Sequence, residues 1–226
     1  MYTNRLAFRR SVFSIIATGC LLSACNDAAT DEAAKSGTAI GAKPEWNSIA
    51  YEGVQPLMLA DEAADALEGK GYVLDKCIAD DPVPNPQAKW ASGEACFTKQ
   101  AGGWQAAIAV APLDGKLHVS QVNFHAPASE DDAANVAALD RLALELGTAF
   151  GKPGQAAGTS TATGAGAGKS YVWTVPGGLA TSPDNVTLLQ GKWQAPQITM
   201  ISHWLQVKGN VAKFSGDGEV GRSLKR

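Results

Sequence analysis

The dipeptide Asp114-Gly115 lies between two runs of alternating character, with Trp104, Ala106, Ile108 and Val110 before it and Leu117 and Val119 after it. A two-residue turn of this kind carries positive φ at both central positions and so matches the right-handed twist of its strands. The pattern predicts a β-hairpin over 104–124. Further on, Val136, Leu139, Leu142, Ala143, Leu146 and Phe150 recur at helical spacing. Ser129 followed by Asp132 reads as a capping pair, and Gly151 with Pro153 as a stop, so a long helix is expected over 130–150, packed on the sheet.

The rest of the chain fills in around these two elements. The folded part should begin near Trp46. Ile49–Leu59 contains Pro56 and reads as an irregular approach, and Ala60–Leu67 as a short helix with Asp61 and Glu62 in its first turn and Gly69 and Gly71 at its end. Tyr72-Val73-Leu74 starts a strand. In Asp80-Asp81-Pro82-Val83-Pro84-Asn85-Pro86 the prolines preclude a sheet, so an exposed loop is expected. Gly154–Gly168 is almost wholly small residues and can build no core. Later strands are expected over 170–175, 186–193 and 198–207, with Gly209-Asn210 turning into a further strand over 211–214. The fold class is therefore α+β, an antiparallel sheet carrying one short and one long helix. A helix followed by hairpins occurs twice, which points to duplicated lobes, 46–127 and 128–214, within a 46–214 domain, with a loose tail over 215–226.

At the amino end Arg5, Arg9 and Arg10 precede an apolar run from Val12 that closes on Leu22-Ser23-Ala24-Cys25. A basic start, an apolar stretch too short for a bilayer span and small residues before a cut form an export signal. Leu-Ser-Ala-Cys resembles the lipobox of bacterial lipoproteins, in which the cysteine receives a diacylglycerol and the chain is cut just before it. The resemblance implies a signal peptide over 1–24, lipid attachment at Cys25 and a membrane-anchored place in the cell envelope. The alternatives are an ordinary secretory signal and a retained signal anchor. Asn26 stands where an inner-membrane retention signal has Asp, which points to an outer membrane and its periplasmic side. Arg9-Arg10-Ser11-Val12-Phe13 partly resembles a twin-arginine signal, so the export route stays open. Residues 25–45 are small and polar and read as a tether.

Loss of residues 1–24 moves the formal charge from -3 to -6. No Lys/Arg cluster then remains except Lys225-Arg226, which argues against nucleic acid as a partner. Cys20 leaves with the signal and Cys25 takes the lipid. In an oxidising compartment Cys77 and Cys96 are then expected as a disulfide.

Pro56-Leu57-Met58-Leu59-Ala60-Asp61-Glu62-Ala63, continued by Leu67 and Gly71-Tyr72, resembles a segment of small envelope lipoproteins. These include the small lipoprotein of the outer-membrane β-barrel assembly machine and the β-lactamase inhibitor proteins. Phe150-Gly151-Lys152-Pro153 is similar to the close of a helix in the same modules. Leu57 replaces their glycine, and Leu59 their Ser or Thr cap. The resemblance implies helices laid on an antiparallel sheet and action by protein contact, with no cofactor and no catalysis.

The chemistry-bearing residues assemble no recognised site. Gly164–Ser170 ends in Gly-Lys-Ser, but Thr163 stands where a phosphate-binding loop has glycine, and a strand rather than a helix should follow, so no nucleotide is expected. His118 and His125 differ by an odd number along one strand and should face opposite sides, which excludes a shared metal. Of the tryptophans 46, 90, 104, 173, 193 and 204, most should fill the core, with Trp90 the exposed exception. Apolar residues on both faces of 198–207 make that strand sandwiched or half of an interface. Trp90, Trp204 and His203 are the candidate interface residues. The expected function is a lipid-anchored, non-catalytic protein-binding domain. An envelope hydrolase using His203, or a glycan- or lipid-binding module using exposed tryptophans, is the alternative.

Overall fold

The structure, a computed structural model, describes residues 40–127, 129–157, 168–190 and 195–215, the last with side chains through Gly209. The signal over 1–24, Cys25, most of the tether, Trp193 and the tail beyond Ser215 lie outside the described residues.

The elements in chain order are α1 (Ala60–Glu68), β1 (Tyr72–Asp75), a short 3-10 turn (Pro86–Ala88), β2 (Glu94–Lys99), β3 (Gln105–Leu113), β4 (Lys116–His125), α2 (Asp132–Ala149), β5 (Gln155–Ala157), β6 (Lys169–Thr174), β7 (Asn185–Gln190), β8 (Gln197–Ile201) and α3 (His203–Ser215). The strands form one antiparallel sheet of eight in the order β1-β2-β3-β4-β8-β7-β6-β5. A helix followed by a four-stranded meander thus occurs twice, and the two meanders join where Gln121–His125 of β4 pairs with Gln197–Ile201 of β8. One hydrophobic core runs through both halves, from Ala63 and Leu67 of α1 and Phe97 of β2 to Leu139 and Leu146 of α2 and Leu188 of β7.

The hairpin forms around Asp114 (φ 50°) and Gly115 (φ 73°), as its turn requires. α1 buries Ala60, Ala63, Ala64 and Leu67, and its small side chains let the helix lie close to the sheet. α2 buries Leu139, Leu142 and Leu146, and Phe150 at its end meets Trp173 edge-on with ring centroids 5.7 Å apart.

Several expectations are corrected. The α2 cap is Asp131, whose carboxylate accepts the Ala133 amide at 2.9 Å, and Ser129 supports it by accepting the Asp131 amide. Asn135 takes the inward place expected for Val136, which is 39 % exposed, because the Ser129 backbone satisfies both ends of the Asn135 amide. Strand β2 is an element beyond those expected. Gln155–Ala157 at the start of the small-residue stretch forms the edge strand β5. The strand expected over 198–207 stops at Ile201, and the turn and strand expected after it are the helix α3. Trp204 and Leu205 are there carried by a helix and buried against Ala111 and Leu179.

Candidate interaction surface

α1 and α2 lie on one face of the sheet, where Ile108, Val122, Phe124, Val186, Leu188, Ile198 and Met200 are buried. By strand alternation and register the other face carries cross-strand rows. One runs Thr98, Gln105, His125, Gln197, Leu189, and the next Cys96, Ala107, Asn123, Thr199, Thr187. A third runs Glu94, Ala109, Gln121, Ile201, Asn185. α3 packs on this face where β3 ends, at Ala111 and Pro112, and reaches the neighbouring part of β4.

The middle of the open face is uncharged and hydrogen-bonded sideways. Asn123 Oδ1 accepts from Thr199 Oγ1 at 2.9 Å and from Gln121 Nε2 at 3.2 Å, and Thr187 Oγ1 donates to Asn185 Oδ1 at 3.1 Å. Gln206 of α3 reaches Gln121 Oε1 at 3.5 Å and ties the helix to this network. Which polar residues lie side by side depends on strand order.

At the β1–β2 side Cys77 and Cys96 form a disulfide, with Cα atoms 5.1 Å apart. The intervening loop is exposed, as its prolines imply, and it folds back onto α1. Trp90 Nε1 donates to Asp61 Oδ1 at 2.8 Å, and Lys89 Nζ lies 3.3 Å from the same oxygen. The Trp90 bond, followed by Lys89, holds the Asp61 carboxyl below the usual carboxylate range. Trp90 is therefore a half-buried clasp rather than a free ring. Asp75 at the end of β1 is likewise held low, by Thr98 Oγ1 at 2.7 Å and by the Lys76 amide at 2.8 Å.

The other two candidate interface residues sit elsewhere. Trp204 is 7 % exposed and offers a partner no surface. His203 is the half-buried first residue of α3. Both adjoin a junction centred on Asp184, whose residue is fully buried. Asp184 Oδ2 accepts from Trp46 Nε1 at 3.0 Å, and Oδ1 from the Trp204 amide at 3.1 Å. The chain before Trp46 is held at the same place. Gly178 N donates to Ala42 O, Glu45 N to Pro176 O and Trp204 Nε1 to Gly41 O, while Ile40 bridges to Leu179. The tether read over 25–45 is thus docked from Ile40 onward.

The histidines do not meet. Gln121 pairs with Ala109 and Val119 with Val110, so Ser120 is an extra residue in β4. This bulge reverses the alternation and puts His118 and His125 on the same face, against expectation. They still lie ~20 Å apart along the strand. His118 Nδ1 donates to the Leu57 carbonyl at 2.8 Å. Among the described residues no group of His, Cys, Asp and Glu is arranged to hold a metal ion. Lys169-Ser170 lies in strand β6, with the Lys169 ammonium on Asp140 and no helix following.

A groove of about 580 Å³ lies beside α2, lined by Ala143, Leu144, Gly147, Pro153 and Tyr171, with Leu144 73 % exposed. On the helix side half-buried Tyr51, Glu52 and Lys99 cluster with the buried Tyr72. Glu52 and Lys99 pair at 2.9 Å, and burial, then Glu52, pushes the Tyr51 hydroxyl up to about 12. No described helix is long and apolar enough to cross a membrane. The chain matches no family model, no curated protein and no solved structure.

Proposed function

We propose that this chain is a lipid-anchored protein of the cell envelope whose α+β domain binds another protein without catalysis, through the open face of the sheet. The observation that carries the reading is the network of Asn123, Thr199 and Gln121. Side chains already bonded across strands lose little entropy when a partner arrives, and neutral amides and hydroxyls are cheaper to desolvate than charges. The anchor rests on Leu22-Ser23-Ala24-Cys25, and an oxidising compartment agrees with the Cys77–Cys96 disulfide. No nucleic acid, nucleotide or cofactor enters this reading.

A photo-crosslinking residue placed at Asn123 or Gln197 in intact cells should give a discrete protein adduct, and one at Leu144 should not. Adducts from Leu144 alone would refute the assignment of the open face. A Cys25→Ser chain exported with a cleavable signal should leave the membrane fraction, and retention there would refute the anchor.

A further inference from the structure

We propose that the partner on the open face is a second copy of this chain, stacked sheet on sheet about a two-fold axis that runs between β4 and β8 along the strands. This deepens the reading of that face given above and stands on it.

The face has the size for such a contact. Its three rows, taken over the six strands from β2 to β6, span ~29 Å by ~20 Å, or about 600 Å² on each copy. The ~1,200 Å² that a pair buries reaches the bottom of the range for stable interfaces, so the dimer is a reversible one. α3 stands on the face where β3 ends, and the second copy lies beside it, toward Gln105 and His125.

Charge favours a copy and sets its direction. The charged side chains in the three rows are Asp75 on β1 and Glu94 on β2, with no Lys or Arg among them. An anionic partner finds no counter-charge there, and a cationic one finds it at one margin only. A neutral surface suits the middle, and this face is itself such a surface. An axis along the strands lays β1 to β4 of one copy over β8 to β5 of the other, so that Glu94 meets Thr174. An axis across the strands would set β2 on β2 and crowd like charges together.

Shape agrees with charge. β3 then lies over β7, and the small Ala107 and Ala109 face the larger Thr187 and Asn185. Asn123 of β4 lies over Thr199 of β8, and amide and hydroxyl both carry donors and acceptors. Stacked sheets nest when their twists agree, and a copy has the same twist by construction.

The test uses full-length chains bearing two different epitope tags, co-expressed in intact cells with the photo-crosslinking residue at Asn123. The adduct should have twice the mass of the chain, carry both tags and join position 123 of one copy to 197–201 of the other. An adduct with a different protein overturns self-pairing and leaves the open face standing as an interaction surface. No adduct from Asn123 or from Gln197 overturns that reading and the dimer with it. A two-tag adduct joined outside β8 overturns the two-fold. Ala107→Arg sets an unpaired charge against Thr187 and should lower the two-tag yield at least about tenfold. An undiminished yield from a folded variant overturns the stacking. If that variant does not fold, the tags and the joined positions in the otherwise unaltered chain decide.

Discussion

Asp184 shows how one residue can matter without standing out in a sequence. Its two oxygens satisfy an indole from the start of the folded chain and a backbone amide in the first turn of α3. Asp184→Ala would leave both donors buried and unpaired, and a loss of about 3 kcal/mol is expected in chemical denaturation. Glu62→Ala on the exposed side of α1 should change stability by under about 0.5 kcal/mol. Asp75 offers a test by pH. Its folded pKa is depressed, so its contribution is present above its unfolded value and is lost as the pH falls through the folded one. Thr98→Val removes the chief cause, and the Asp75 titration followed by NMR should move upward; an unmoved midpoint would show that the Thr98 bond is not what holds it. Leu57 belongs to the same scale. It adopts φ 71°, a backbone conformation that glycine favours. Its carbonyl on His118 and its amide on Val119 O hold it in place.

Among the elements, α3 departs furthest from expectation, because the apolar residues of 198–207 suit a strand covered on both faces as well as a helix, and Gly209-Asn210 looks like a turn. Gly209 instead sits within the helix, where a Cβ would come 2.7 Å from that of Ala111. Glycine in a helix normally costs about 1 kcal/mol against alanine. Here Gly209→Ala should lower the melting temperature despite the better helix former, since α3 would be pushed off β3. A raised melting temperature would mean that the contact is loose. The other misreadings have equally local causes. β2 escaped notice because Glu94–Lys99 is short and mixed, and becomes a strand by pairing with both β1 and β3. The cap moved to Asp131 because both it and Ser129 are adequate caps, and the Asn135 bonds to Ser129 choose between them.

For the whole molecule, the two meanders make one continuous sheet, and the disulfide closes the loop that leans on α1. The cysteines are separated by 19 positions, and removing both by Cys77→Ser and Cys96→Ser should cost about 3 kcal/mol. Denaturant unfolding should then begin earlier, and Trp90, no longer held on Asp61 by a closed loop, should report a more solvated emission. An unchanged midpoint would place the stabilisation of the loop in the Trp90 clasp alone. The open face of the sheet exists only at this scale, because its rows are assembled from β2, β3, β4, β8 and β7.

The sequence alone determined the hairpin, the two leading helices and the α+β class, all of which arise from short-range periodicity or turn chemistry. The tertiary structure alone decided that β4 pairs with β8, that Ser120 reverses the facing of His118, and that Trp204 is buried. It also decided that residues 40–46 dock at Asp184. Each of these depends on contacts between segments far apart in the chain, and no local pattern records which distant group will fill a vacant hydrogen bond or cover an apolar side chain.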